Sequence, residues 1–294
     1  MVNSASLAAD PAWLPHRIDI SAGQVLFLRL PRELTAAHGF LAELEGKVEQ
    51  TWMPLDDYAT LECGGSAVHF VFHTGLCCST LLIRALNIPG ICAGLNEPGI
   101  LNSLVQIGPR AEHLIRPTLE LLSRPHARGE ITVVKPSNYV NSMAGALLSS
   151  RTQSRAVMMT DALPVFLSRL VRRGLTGRVW GRQVLLEALK VAESDLAIHP
   201  DSLVSMSDLQ AAALGWFIMQ RSFTKILGAE RDGKARSLHG ERFRDSPAEG
   251  LLAIARFFDL KIDRSQAEAI ATTASVGAPA GISGNRALRN SMNE

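Results

Sequence analysis

Residues His69–Leu86 read HFVFHTGLCCSTLLIRAL, and the pattern of this stretch indicates the fold class. Its aromatic and β-branched residues predict a buried strand over Val68–Phe72. Gly75 interrupts the apolar run, and the spacing of apolar residues in Ser79–Asn87 then predicts a helix. A strand, a tight loop and a helix in this order form the repeating unit of parallel α/β sheets.

The same alternation continues along the chain. Strands are predicted at Ile91–Leu95, Ile131–Val134 and Arg155–Met159, each followed by a helical pattern. Four strands with intervening helices predict an α/β fold with a parallel sheet and helices on both faces. Beyond Gly181 the pattern becomes helical, so we expect a helical second half.

The domain organisation follows from this pattern, because 294 residues fit a single α/β domain. We expect an N-terminal extension over residues 1–66, a sheet core over 67–180 and a helical part over 181–274. Residues 275–294 are rich in Gly, Ala, Ser and Asn, which predicts a flexible tail.

Composition indicates a soluble cytoplasmic protein. No apolar run approaches the roughly 18 residues that span a bilayer, and the N-terminus lacks the pattern of a secretion signal. The four cysteines have neither zinc-ligand spacing nor the number of a disulfide framework, so reduced thiols and no metal are expected. A net charge of +2 gives no reason to expect nucleic acid as a partner.

Local charge is more informative than net charge. Between Arg151 and Arg182 there are seven arginines and one acid, Asp161. Such an excess favours an anionic ligand, although a solvated basic helix face would have the same composition. The oligomeric state is not indicated by the sequence.

Polar residues follow each predicted strand. The strand ends carry His73, Asn96-Glu97, Lys135 and Thr160-Asp161. Because ligands of open parallel sheets bind beyond the carboxyl ends of the strands, these groups are expected to share one site.

The first of these turns has the features of an anion-binding loop. Backbone N–H groups in a tight loop before a helix carry partial positive charge, and the hydroxyls of Ser79 and Thr80 can donate to phosphate oxygens or simply cap the helix. A Walker A loop has a Lys immediately before this Ser, and here the residue is Cys78. An ordinary ATPase or kinase is therefore disfavoured.

HFVFHTGLCCSTLLIRAL resembles the phosphosulfate-binding loop of sulfotransferases, in which Ser-Gly-Thr-Thr occupies the place of Cys77–Thr80. Arg155–Ser168 and Ser237–Leu260 resemble two later segments of that family. The resemblance implies a P-loop-like fold of the sulfotransferase type that binds 3′-phosphoadenosine 5′-phosphosulfate. It places the donor against Gly75, Leu76, Cys77, Cys78, Ser79 and Thr80, with Thr160 and Ser168 in the 3′-phosphate positions.

The sequence departs from this family at two positions. Leu76 stands where the loop normally has a basic residue, and Thr160 stands where an Arg normally binds the 3′-phosphate. Lys135, or one of the arginines Arg169, Arg172 and Arg173, could supply the missing charge from another part of the fold.

Three residues are candidates for catalysis of sulfuryl transfer to a hydroxyl or amine of a small-molecule or protein acceptor. Glu97 is the candidate general base, as the resemblance to tyrosylprotein sulfotransferases implies. His73 is an alternative base or a donor to the bridging oxygen, and Lys135 could stabilise the leaving group.

Other functions stay open at this stage. Cys77 or Cys78 could act as a nucleophile, because a thiol at a helix N-terminus has a lowered pKa. The chain could also be a small-molecule kinase, or a protein that binds an anion or nucleotide without catalysis.

Overall fold

The chain forms two β-sheets in a computed structural model, which describes residues 4–37, 39–189, 196, 198–229 and 232–276. An antiparallel sheet has the order β1-β2-β3, formed by Trp13–Asp19, Gln24–Arg29 and Gln50–Pro54. A parallel sheet has the order β5-β6-β4-β7-β8, and its strands are β4 (Val68–His73), β5 (Cys92–Asn96), β6 (Ile131–Lys135), β7 (Ala156–Thr160) and β8 (Ala235–His239).

Helices connect and cover these strands. In chain order they are α1 (Ser4–Ala9), α2 (Arg32–Ala37), α3 (Leu55–Ala59), α4 (Ser79–Ala85), α5 (Gly99–Ile107), α6 (Glu112–Leu122), α7 (Ala144–Ser149), α8 (Leu163–Arg172), α9 (Gly174–Leu189), α10 (Pro200–Ser205), α11 (Asp208–Ala229), α12 (Gly240–Asp245), α13 (Pro247–Phe257) and α14 (Arg264–Val276). Short 3-10 turns occupy Leu41–Leu44, Gly108–Ala111 and Asn138–Met143. No helix within the described ranges is long and apolar enough to cross a bilayer.

The predicted α/β fold with a parallel sheet and flanking helices is confirmed. β4 is buried along its whole length and lies between β6 and β7. Side chains alternate between the two faces of a strand. Phe70 and Phe72 therefore enter a core with α5 and α6, whereas Val71 packs with α4 and α13.

The helical part 181–274 differs from the prediction in one element, because it also contributes strand β8. This strand pairs with β7 in parallel, from Ala235 opposite Ala156 to His239 opposite Thr160. Its sequence, ARSLH, is mostly exposed and lies at the sheet edge. An edge strand needs no continuous apolar run, and such a run is the signal by which the other strands were predicted.

The N-terminal extension packs into the core of the sheet, and the last helix continues two residues past the expected boundary. The extension 1–66 shares the apolar core: Phe27 and Tyr58 are buried in it, and the Tyr58 hydroxyl lies 2.6 Å from the Thr118 hydroxyl. At the other end α14 includes residues 275 and 276, and the rest of the predicted flexible tail lies outside the described residues.

The strand order creates a crevice between β4 and β7. After β4 the chain continues to β5 at one edge of the sheet, and after β7 it continues to β8 at the opposite edge. Neighbouring parallel strands whose connections diverge in this way open a gap beyond their carboxyl ends, which is where ligands of such sheets bind.

His69 is a titratable side chain that is buried at the sheet. Its ring stacks on Phe258 with centroids 4.8 Å apart, and its Nδ1 accepts a hydrogen bond of 3.1 Å from the Arg155 backbone N–H. Burial lowers the pKa of His69 to about 4, with a smaller contribution from the Arg155 charge. The imidazole is therefore neutral in the folded protein at neutral pH.

We predict that stability falls as the pH drops from 6.5 toward 4. In this window the unfolded chain binds a proton at His69 that the folded chain does not bind, so protonation favours unfolding, by up to about 1.4 kcal/mol per pH unit for one such group. Urea unfolding across this range measures the slope. His69→Asn should reduce the slope, whereas the exposed control His113→Asn should keep it. Equal slopes in all three proteins would contradict this assignment.

Candidate functional site

The carboxyl ends of four parallel strands carry buried polar side chains. His73 ends β4, Asn96 ends β5, Lys135 ends β6 and Thr160 ends β7, and none of them is more than 6% exposed. Buried polar groups are costly unless they are paired. Their concentration along one edge marks this edge as the candidate site.

The loop between β4 and α4 has an unusual backbone. Gly75, Leu76 and Cys78 adopt positive φ angles of 82°, 55° and 65°. Left-handed backbone at residues other than Gly costs free energy and is concentrated at functional sites. A side chain at position 75 is also excluded by space, since a Cβ there would lie 2.5 Å from Cη2 of Trp180. The loop is thus a tight turn closed on one side by the α9 indole.

The imidazole of His73 fixes this loop to the end of β6. Its Nδ1 accepts a 3.0 Å hydrogen bond from the Gly75 N–H, so the proton is on Nε2, which donates to the Pro136 carbonyl at 3.0 Å. Burial and the nearby Lys135 charge keep the pKa of His73 well below its ordinary value. In this geometry His73 is neutral and has no ring nitrogen available to accept a proton.

Glu97 and Lys135 form a close ion pair beside this histidine. Lys135 Nζ donates to Glu97 Oε1 at 2.5 Å, and His73 Nε2 lies 3.8 Å from the same oxygen. The side chain of Lys135 is 1% exposed and that of Glu97 is 15% exposed. Glu97 also has a positive φ of 54°, while its backbone N–H bonds the Lys135 carbonyl at 2.7 Å. The structure therefore brings the three predicted catalytic residues together.

The residue in the position of the 3′-phosphate Arg, Thr160, is engaged within the protein. Its hydroxyl accepts hydrogen bonds from the Thr74 hydroxyl at 3.3 Å and from Gln220 Nε2 at 2.5 Å, and it donates to the Asp161 carbonyl at 3.2 Å. Ser168 is exposed on α8. Neither residue supplies a positive charge to the edge.

The side chains of the loop itself divide between core and site. Cys77 Sγ donates to the Met159 carbonyl at 3.4 Å, and burial raises the pKa of this thiol to about 11. Cys77 is therefore a protonated thiol of the core at neutral pH, and a nucleophile would have to be a thiolate. Ser79 is buried at the start of α4, whereas Cys78 and Thr80 are partly exposed. Leu76 packs its side chain against an apolar cluster that includes Trp180 of α9.

Sequence reasoning missed several residues that complete the site. Gln220 and Trp216 reach the end of β7 from α11, and Asn141 donates to the His73 carbonyl at 2.9 Å. The Phe40 ring lies 5.8 Å from Lys135 Nζ. These contacts join segments far apart in the chain, so no local motif could have revealed them.

The described parts of the chain contain no group of three His, Cys, Asp or Glu side chains that could hold a metal ion. Comparison with known proteins adds no assignment, since neither a protein-family model nor a curated protein sequence matches the chain.

The Glu97–Lys135 pair yields an asymmetric stability prediction. Glu97→Gln leaves the fully buried Lys135 charge without its counter-ion, and we expect a loss of about 3–5 kcal/mol in the free energy of unfolding. Lys135→Met leaves a carboxylate that reaches solvent, and should cost less, about 1–2 kcal/mol. The double variant should recover most of the loss. Urea denaturation measures all three, and additive losses in the double variant would contradict a direct interaction.

Proposed function

We propose that this protein is a sulfotransferase of the cytoplasm that binds 3′-phosphoadenosine 5′-phosphosulfate at loop 73–80. The observation that carries the proposal is the convergence of Glu97 and Lys135 on the edge where this loop lies, beside the crevice between β4 and β7. All four cysteines are free thiols, which supports a reducing compartment.

The reaction places two demands on the site. The oxygen of a hydroxyl acceptor, or the nitrogen of an amine, attacks sulfur, and the bond from sulfur to the bridging phosphate oxygen breaks. The products are the sulfated acceptor, adenosine 3′,5′-bisphosphate and the acceptor proton. A base must take that proton as the new bond forms, and positive charge must stabilise the departing phosphate.

Glu97 is the base of this proposal because it has the required exposure. Within the cluster it reaches solvent more than Lys135 or His73 does, so an acceptor can approach its carboxylate. Lys135 lies beneath it, orients the carboxylate through Oε1 and contributes positive charge near the leaving group. His73 takes a positioning role, since both of its ring nitrogens hold the loop in place.

A non-catalytic function, binding an anion or nucleotide only, is the second candidate. Thr160 favours this function, because it stands where the family has an Arg that binds the 3′-phosphate. Its hydroxyl is instead hydrogen-bonded to Thr74 and Gln220. A kinase is less well supported, because Cys78 occupies the Walker A lysine position.

Calorimetric titration separates these functions. We expect saturable binding of adenosine 3′,5′-bisphosphate and no binding of ATP–Mg²⁺ under the same conditions. The physical reason is that the loop has Cys78 in the position of the Walker A lysine, which binds the β- and γ-phosphates of a nucleoside triphosphate. Tight binding of ATP–Mg²⁺ alone would contradict the proposal, and absence of binding by either ligand would also overturn it.

Catalysis is tested with the same protein and a panel of phenols and amines. Wild-type protein should release adenosine 3′,5′-bisphosphate from the sulfuryl donor when a suitable acceptor is present. Glu97→Gln should slow this release by about 10²–10⁴-fold while it still binds the bisphosphate, which shows that the variant is folded. Binding without release across the whole panel would favour the non-catalytic function.

A further inference from the structure

A cation from a distant element reaches the loop at the position where the sequence has none. The Arg169 guanidinium, on α8, donates through Nη1 to the Leu76 backbone carbonyl and to Oδ2 of Asp161. The Leu76 side chain packs in the apolar cluster that contains Leu170 and Trp180. The charge missing from the loop sequence is thus present at the loop backbone.

Arg169 has unused hydrogen-bonding capacity at this position. Its Nη2 is buried and has no hydrogen-bond partner among the described residues. A guanidinium presents its donors as a planar fork that matches the oxygens of a phosphate or sulfate. The orphaned nitrogen therefore marks a donor that an anion at the loop could satisfy.

Asp161 is the present counter-ion of Arg169, and it is itself held by other groups. Its side chain is 2% exposed, and Oδ1 accepts a 2.7 Å hydrogen bond from the Glu241 backbone N–H. Its carbonyl accepts from Trp216 Nε1 at 3.2 Å. The carboxylate would keep the Glu241 contact if Arg169 turned toward another anion.

The packing around Asp161 leaves little room beside it. A Cβ on Gly240 would lie 2.9 Å from Asp161 Oδ1 and 2.2 Å from the Cys77 carbonyl oxygen. Gly240 therefore lets α12 begin directly against Asp161 and the loop. The negative charge of Asp161 is fixed next to the crevice between β4 and β7, where an incoming anion would experience it.

We infer that Arg169 is the anion-binding cation of loop 73–80, and that Asp161 competes with the ligand for it. This inference rests on the proposed function and specifies which charge binds the 5′-phosphosulfate end of the donor. When the ligand binds, its anionic oxygens replace Asp161 Oδ2 as the partner of Arg169 and engage the orphaned Nη2. The ligand affinity therefore depends on how much more strongly Arg169 interacts with the ligand oxygens than with Asp161.

Two substitutions at this pair have opposite predicted effects on binding. Arg169→Gln should weaken the binding of adenosine 3′,5′-bisphosphate by about 10–100-fold, because a charged hydrogen bond to the phosphate is lost. Arg169→Lys should lie between wild type and the Gln variant, since an ammonium lacks the planar fork. Asp161→Asn keeps an acceptor for the Glu241 N–H but removes the competing charge, and should tighten binding by about 3–10-fold.

The control variant is Arg172→Gln, which removes an exposed arginine one turn further along α8 and should change the Kd by less than about twofold. Urea unfolding of each variant checks folding. If Arg169→Gln does not fold, the opposite shifts of Arg169→Lys and Asp161→Asn still decide the question.

The possible outcomes separate this inference from the function on which it rests. If wild-type protein binds the bisphosphate and Arg169→Gln binds it equally well, the inference is wrong and the proposed function stands. If Asp161→Asn weakens binding as Arg169→Gln does, the pair is only structural and competition is excluded. If wild-type protein does not bind the bisphosphate, both the inference and the proposed function fall.

Discussion

The candidate site depends on one imidazole that joins two strand ends. His73 accepts the Gly75 N–H and donates to the Pro136 carbonyl, so the ends of β4 and β6 and the start of the loop are held by one buried, neutral ring. Burial and the charge of Lys135 depress the pKa of this ring, which keeps it neutral, and the two hydrogen bonds set its tautomer. A protonated ring could not accept the Gly75 N–H, and the turn would lose its anchor.

Backbone strain is concentrated around this anchor. Leu76, Cys78 and Glu97 all have left-handed backbone without being Gly, and all three lie in the turns that follow β4 and β5. Each such residue costs about 1–3 kcal/mol, and the surrounding packing must supply that free energy. Here the strain is offset by the packing of a fully buried central strand and of two apolar cores on opposite faces of the sheet. A rigid sheet thus supports a strained edge, which is the arrangement expected for a preorganised binding site.

The sequence predicted the central part of the fold because its signals are local. The predicted strands Val68–Phe72, Ile131–Val134 and Arg155–Met159 each correspond to a buried parallel strand. The prediction failed to identify β8, whose exposed edge sequence ARSLH has no such run. The antiparallel pairing of β1, β2 and β3 was also beyond reach, since it depends on contacts between segments rather than on a continuous pattern.

The candidate site was predictable in part for the same reason. The polar residues at strand ends could be placed at one edge by the rule for parallel sheets, and Glu97 and Lys135 do meet there. Their distances, and the double engagement of the His73 ring, depend on side-chain packing that no spacing encodes. The contact of Arg169 with Leu76 joins residues 93 positions apart, so the sequence could name Arg169 only as one of several possible cations.

Backbone amide resonances report whether an anion binds at loop 73–80. In a titration of ¹⁵N-labelled protein with adenosine 3′,5′-bisphosphate, the amides of residues 75–80 and the Arg169 side-chain N–H should shift saturably. The amides of β1, β2 and β3 should stay unchanged. Saturable shifts confined to residues outside the strand-end edge would show that the anion binds elsewhere.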